Sequence, residues 1–463
     1  MLRLFQHYIP SSIIWLIVVE LIVLYFSVYL AVELRFSDPF GDPSDKILLG
    51  PLMPKAFSFA LVLWLSMTGM GLHTRNVVDD FSGMMIRIFL SFGLGFVANT
   101  LLFYIAPDLF LGRGVFLFAI LIAFFGILFT RTLFQNIDNN ELFRRRIIVL
   151  GAGKKAKIIE KLEKEAQKRG QEILGYICVD STVAHVDANK IIKVKTSLLD
   201  LAKELDVDEI VVAMTDRRQG FPAAQLMGCK MQGIFVRDLL NFVERIKGNI
   251  ELDVLHPSIM IFSPGFVKAS KNKRIFDILV SLFILVLTSP IFISAAILIW
   301  LSSFGTKPVF YKQTRVGLAG NDFSVLKFRS MEINAEKNGA QFAKKNDSRV
   351  TLIGRVIRKT RIDELPQLLN VLKGDMSFVG PRPERPEFVK EFIEKIPHYD
   401  LRHIVKPGIS GWAQICYPYG ENIDDTRNKL EYDLYYIKNY SLFLDLTIIF
   451  QTVQVVVFGQ GAR

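Results

Sequence analysis

The sequence predicts a membrane protein that combines α and α/β parts. An N-terminal four-helix transmembrane bundle is followed by a Rossmann-like middle domain, then by a re-entrant membrane helix hairpin that leads into a second cytoplasmic α/β domain. Three observations carry this prediction. Apolar residues make up 51% of the 463 and the mean hydropathy is +0.32, high for a soluble chain. Four apolar runs of bilayer-spanning length crowd the N-terminal part. Beyond them strand-like and helix-like segments alternate, as in a parallel sheet with crossover helices, and one long apolar run, Ile275 to Ser303, interrupts the pattern.

The charge balance narrows the partners. A formal net charge of +11 on a membrane protein suits anionic headgroups and phosphate-bearing substrates. No nucleic-acid recognition motif accompanies it. Cys178, Cys229 and Cys416 have no paired spacing, which argues against a disulfide framework or a cysteine zinc site and fits a reducing, cytosolic face. The first apolar run is too long for a cleavable signal and lacks a small-residue cleavage site.

The four spans lie near Ile13–Val32, Leu52–Leu72, Met84–Ile105 and Val115–Phe134, within a first domain of residues 1–137. Four crossings return the chain to its starting side, and the arginine run 144–146 puts that side in the cytoplasm. Glu20 inside the first span is expensive unless paired. With no ionisable residue near it in sequence, it reads as a packing or assembly contact.

Residues 138–266 form the middle domain. R-I-I-V-L-G-A-G-K-K-A, from Arg146, reads as a buried strand, a turn through Gly151 and Gly153, and a basic helix start. Further strands are expected at Ile173–Val179 and Glu209–Ala213. The turn fits G-x-G-x-x-A, and Asp180 ends the second strand where a ribose-binding acid would stand, so Gly151, Gly153 and Asp180 are the candidate nucleotide-binding residues. No Tyr-x-x-x-Lys pair or similar set accompanies them, which favours a structural or regulatory module over a redox site.

Residues 267–463 make the third domain. The apolar run 275–303 is broken at Ser289–Pro290 and flanked by Lys268, Lys271, Lys273 and Arg274 on one side and Lys307, Lys312 and Arg315 on the other. Positive charge on both flanks places both ends in the cytoplasm, and proline breaks a helix ladder whose freed group a serine can satisfy. The run therefore reads as re-entrant, with a kinked fifth span as the alternative. Lys307–Met331 alternates around Gly317 and Gly320 like a hairpin and ends in Lys327 and Arg329. Leu365, Leu368, Leu369 and Leu372 mark a helix that Pro366 opens. Asp363 and Glu364 would lie at its N-terminus, where the backbone favours anions, crowded by Arg358, Lys359 and Arg361. Gly374 and Asp375 end it, G-P-R-P presents Arg382, and Tyr399–Gln414 supplies Arg402 and Lys406. The apolar segment Tyr440–Gly459, interrupted by Asp445, Gln451 and Gln454, reads as an interfacial helix.

K-R-x-F-D (Lys273–Asp277), Q-x-R-V-G (Gln313–Gly317), K-F-R-S-M (Lys327–Met331), the long D-E-L-P-Q…G-P-R-P block (Asp363–Pro383) and K-P-G-I-S-G-W-A-Q (Lys406–Gln414) stand in one order. In this the stretch from about Lys271 onward resembles the bacterial sugar transferase family, the monotopic phosphoglycosyl transferases, and the segment from Gly233 resembles its exopolysaccharide-associated branch. One departure is Y-P-Y-G after Cys416, where many members carry asparagine–glycine–arginine. The resemblance implies a cytoplasmic α/β catalytic domain at the bacterial inner membrane. It implies transfer of sugar-1-phosphate from a UDP-sugar to a polyprenyl (undecaprenyl) phosphate, giving the polyprenyl diphosphosugar and UMP, as the priming step of exopolysaccharide synthesis. Asp363 would be the nucleophile that forms a covalent phosphosugar–aspartate, and Glu364 would help hold Mg²⁺. Arg358, Lys327, Arg329, Arg382, Lys406 and Arg402 are the candidate phosphate clamps. Ser289 and Pro290 would shape the membrane hairpin.

Other readings stay open at this level. The middle domain could make the chain a nucleotide-sugar dehydrogenase or epimerase, or a non-enzymatic nucleotide-sensing scaffold. Asp363 could instead serve as a general base for direct attack by the lipid phosphate. A homodimer would form through the membrane block or the middle domain.

Overall fold

The computed structural model describes residues 2–4, 7–9, 11–37, 50–73, 81–138, 144–178, 184–193, 197–214, 221–255, 260–261, 265–266, 271–332, 349–417 and 422–457. Asp180 and residues 418–420 of the Y-P-Y-G segment lie outside them.

After a short antiparallel pair, β1 (Leu2–Leu4) and β2 (His7–Ile9), the apolar runs form α1 (Ser11–Phe36), α2 (Leu52–Gly69), α3 (Phe81–Ile105) and α4 (Arg113–Asp138). Each is long and apolar enough to cross a membrane. Their inward faces meet in one core that includes Leu24, Phe59, Leu63, Ile88 and Ile127, while Trp15, Phe89 and Phe125 point outward, as lipid-facing residues do. Glu20 is not a lone packing contact. It is fully buried, and Arg131 Nε from α4 and His73 Nε2 beyond α2 approach its carboxylate at 2.7 and 2.6 Å. Sequence distance hid these partners; the bundle brings them together and compensates a charge that lipid would not tolerate alone.

The middle domain is a five-stranded parallel sheet, β3 (Arg145–Leu150), β4 (Gln171–Ile177), β5 (Ile191–Ile192), β6 (Glu209–Val212) and β7 (Phe235–Asp238), in the spatial order β5-β4-β3-β6-β7. Helices α5 (Lys154–Lys161), α6 (Glu163–Gln167), α7 (Leu198–Glu204), α8 (Ala223–Met231) and α9 (Leu239–Lys247) connect the strands and extend the layer. β3 and β6 are central and buried on both faces, so they read as continuous apolar runs.

The interrupting apolar run forms α10 (Lys271–Leu287) and α11 (Ser289–Leu301), bent by 64° at the break. Pro290 has no N–H for the carbonyl four residues back, Val286, and the Ser289 hydroxyl donates to that carbonyl at 2.8 Å. The predicted hairpin forms as β8 (Phe310–Val316) and β9 (Asp322–Phe328). Then come α12 (Leu352–Lys359), α13 (Gln367–Lys373), β10 (Ser377–Val379), α14 (Pro386–Lys395), β11 (Gly408–Ser410), α15 (Trp412–Cys416), α16 (Ile423–Lys438) and α17 (Leu442–Val457). β10 and β11 pair in parallel.

In α17 the acidic interruption of the apolar segment has a partner. Asp445 is fully buried, paired with Lys273 of α10 at 2.8 Å and accepting from the Tyr436 hydroxyl at 2.8 Å. This pins the root of the hairpin to the C-terminal helix, which also packs against α2 of the bundle. The middle domain and the last domain share one core. Across it Trp412 donates to the Gly248 carbonyl at 2.8 Å, Asn249 to Glu431 at 2.8 Å, and Lys438 to Glu244.

Candidate active site

α12 starts at a Thr351 cap whose hydroxyl accepts from Gly354 N at 2.9 Å. Its last turns carry Arg358 and Lys359. Arg361 then takes a left-handed conformation (φ 59°), which stops the helix and turns the chain into a single 3₁₀ turn, Ile362–Glu364. Asp363 and Glu364 therefore sit on their own turn between two helices. They do not open α13, because Pro366 and the residues before it belong to the connection. The turn is seated on the second of the two bent apolar helices: Ile362 and Leu365 pack on a cluster of Ala295 and Ile299 from α11, Phe328 from β9 and Ile357 from α12.

The two adjacent carboxyls end up in different electrostatic situations. The Glu364 Oε1 atom accepts from Arg382 at 2.9 Å and faces Lys327 Nζ and Arg361, each at 3.6 Å. Burial alone would raise its pKa, but Arg382, Lys327 and Arg361 together hold it well below the usual carboxylate range. Asp363 is 8% exposed, and among the described residues nothing donates a hydrogen bond to its carboxyl. Burial, reinforced by the charge on Glu364, pushes it up to about 6 against the pull of Lys327, Arg358 and Arg361. Lys327 is itself lowered by burial, with Glu364 opposing. The anion-favouring helix terminus expected from the sequence would keep Asp363 ionised; in the structure burial, with the charge on Glu364 added, works against its ionised form.

Of the six basic candidates, Lys327, Arg358 and Arg382 surround this turn. Three do not. Arg329 is buried and donates to the Pro308 carbonyl at 2.6 Å and the Ile299 carbonyl at 3.3 Å, tying the hairpin to the end of α11. Lys406 donates to the Gly374 carbonyl at 2.7 Å, at the opposite end of α13, where Arg274 caps Val371 and Leu372. Arg402 lies behind Arg382: it donates to the Arg382 carbonyl and to Asp433, both at 2.9 Å. The sequence reading assigned Arg361 only to the basic flank, and it missed Arg315 and buried Gln367, which line a shallow cleft with Lys327, Arg382 and Pro383. The Q-x-R-V-G segment was the available signal for Arg315.

Among the described residues no group of three or more His, Cys, Asp or Glu stands ready for a metal. Two neighbouring carboxylates, one lacking a hydrogen-bond donor, fit a hard cation that takes its remaining ligands from phosphates and water. In the middle domain the Gly151–Gly153 turn is tightly closed. Gly151 has φ +120°, a β-carbon there would lie 2.8 Å from the Ala213 carbonyl carbon, and His185 N donates to the Ala152 carbonyl at 2.8 Å. Gly151 is thus required by backbone approach within the domain itself.

Residues 268–459 match the family described as bacterial sugar transferase, and residues 70–220 match a family described as a CoA-binding domain. A UDP-N-acetylgalactosamine-undecaprenyl-phosphate N-acetylgalactosaminephosphotransferase of Aeromonas hydrophila is 48% identical over 51% of this chain, an alignment spanning only 56% of that relative's own length. A UDP-glucose:undecaprenyl-phosphate glucose-1-phosphate transferase of Klebsiella pneumoniae is 34% identical over 81% of this chain and 82% of its own. An undecaprenyl-phosphate galactose phosphotransferase of Salmonella typhimurium is 29% identical over 76% of each. With a relative matched across most of both lengths, and the matched region holding every element around Asp363, the chain belongs to the bacterial sugar transferase family.

Proposed function

We propose that this protein is a phosphoglycosyl transferase that moves sugar-1-phosphate from a UDP-sugar to undecaprenyl phosphate at the inner membrane, priming exopolysaccharide synthesis, with its catalytic domain facing the cytoplasm. The observation that carries the reading is the pair Asp363–Glu364: one carboxyl held by cations, its neighbour without a donor among the described residues, on a turn resting on the bent apolar helix pair.

Asp363, ionised, attacks the phosphorus that bears the sugar. An Asp–O–P bond forms, the P–O bond to UMP breaks, and UMP leaves with that electron pair. An oxygen of the lipid phosphate then attacks the same phosphorus, and the Asp363 carboxylate departs. Lys327, Arg358, Arg361 and Arg382 neutralise charge on the transferring group. Mg²⁺, held by Glu364 with substrate phosphates, would supply further charge neutralisation. The re-entrant reading of α10–α11 is part of the proposal: the 64° bend and the basic residues on both flanks support it, and it keeps the turn on the side where nucleotide sugars are made. The strand order of the middle domain supports a Rossmann-like reading, and its closed glycine turn supports a structural role for it.

A second reading, with Asp363 as general base, has its pKa of about 6 in its favour. Intact mass after incubation with UDP-sugars, with Mg²⁺ present and lipid phosphate omitted, separates the two. A sugar-phosphate adduct absent from Asp363→Asn supports the covalent route. UMP release only with lipid phosphate, and never an adduct, supports direct transfer. Neither product with any donor sinks both.

A further inference from the structure

We propose that Arg402, oriented by Asp433, is a positioning residue that sets the Arg382 guanidinium on Glu364. This rests on the reading of the Asp363–Glu364 turn as the transfer centre. Arg382 stands on the Gly380–Pro383 turn with proline on both sides, so the direction of its side chain follows from where that backbone is held. Two guanidiniums hold it from behind. Arg402 Nη2 donates to the Arg382 carbonyl at 2.9 Å, and Arg315 Nη1 donates to the Pro383 carbonyl at 3.1 Å. Arg402 is buried, and both terminal nitrogens are occupied inside the protein: Nη1 donates to the Tyr399 hydroxyl at 2.5 Å, and Nη2 also reaches Asp433 Oδ2 at 2.9 Å. That leaves Arg402 poorly placed to grip substrate and well placed to fix its neighbour.

The reason for a charged pair at this depth is directional. A buried ion pair yields little net stability, and an apolar replacement would serve as well for that purpose. A guanidinium with three acceptors in fixed directions, however, fixes the place of the carbonyl it binds. Asp433 lies on α16, the helix that the middle domain grips through Asn249–Glu431 and Glu244–Lys438. The positioning chain therefore runs from the domain interface through Asp433, Arg402 and Arg382 to Glu364.

The test is a double-mutant cycle on the full-length protein, reading the rate of sugar-phosphate adduct formation from UDP-sugar without lipid acceptor. Arg402→Lys and Asp433→Asn are each expected to slow that rate on the order of 10²-fold, the effect of misplacing a catalytic group by about 1 Å. Combined with Arg382→Ala, each is expected to cost less than about twofold more, because the cycle isolates an effect passed through Arg382. Apparent melting temperature monitors the fold. If Arg402→Lys unfolds, the isosteric Asp433→Asn carries the cycle. Losses that multiply in the double variants, or wild-type rates in the single ones, overturn the inference while leaving the transfer centre intact. Absence of adduct and of UMP in the wild type overturns the centre itself and the inference with it.

Discussion

Replacing Asp363 with asparagine should abolish turnover and at the same time make the protein more stable. The folded carboxyl titrates near 6, whereas its ordinary value is 3.8. A rise of that size corresponds to ~3 kcal/mol against folding once the group is ionised, with the attraction of Lys327, Arg358 and Arg361 already included in the net value. Between pH 3.8 and about 6 the folded state holds the extra proton, so stability falls as pH rises through that window. The deficit is complete above the upper limit and absent below the lower one. Asparagine keeps the shape of the side chain and removes the charge, so at pH 7.5 the apparent melting temperature should rise by roughly 3–6 °C. At pH 4.5 most of that gain should vanish. The assay is thermal unfolding of wild type and Asp363→Asn side by side in the same membrane mimetic across this range. A variant that melts at or below wild type at pH 7.5, or a gain that persists undiminished at pH 4.5, refutes the claim that Asp363 is a strained, partly desolvated carboxylate.

Because only the ionised carboxylate can attack, adduct formation should slow as the pH is lowered and Asp363 takes up its proton; a rate that is flat down to pH 4.5 counts against Asp363 as nucleophile. Lys406→Met should lower stability by ~1 kcal/mol through loss of the Gly374 carbonyl's donor, with the adduct rate within about twofold of wild type. Weaker UDP-sugar binding at unchanged stability would return Lys406 to the substrate site. Glu20→Gln leaves Arg131 buried without its carboxylate, and the expected cost is ~3–5 kcal/mol, read as a lower melting temperature and partly restored by adding Arg131→Gln; a variant as stable as wild type excludes the ion pair as a structural element. Pro290→Ala should straighten α10–α11 and move one flank across the membrane. Accessibility labelling that still finds Lys271 and Lys307 on one side would acquit the proline.

What could be read in the sequence is what local pattern encodes. Four apolar runs of the right length became four helices because bilayer thickness acts on each run separately. Ser289–Pro290 announced the break because the missing N–H is a property of one residue. Asp363 and Glu364 were visible as a pair for the same reason. What remained hidden is everything set by partners far apart in the chain. Glu20 looked solitary because His73 and Arg131 lie 53 and 111 positions away. Asp445 looked like a bare interruption of an apolar segment because its cation, Lys273, lies far back in the chain. The basic candidates were alike in sequence, and only the fold sorts them: Arg329 and Lys406 satisfy carbonyls at helix ends, while Arg361, overlooked as a clamp, faces Glu364 because its left-handed backbone turns it back. The two carboxyls show the point most sharply. Neighbours in sequence with nearly equal intrinsic acidity, they are driven in opposite directions: burial and the charge on Glu364 raise Asp363, while Arg382, delivered by the Gly380–Pro383 turn, acts with Lys327 and Arg361 to lower Glu364. Pairs of titratable groups pushed apart in this way mark a division of labour between an electrostatic anchor and a reacting group. That division depends on where Arg382 points, and therefore on the buried Arg402 and Asp433 behind it, residues that no local motif around Asp363 contains.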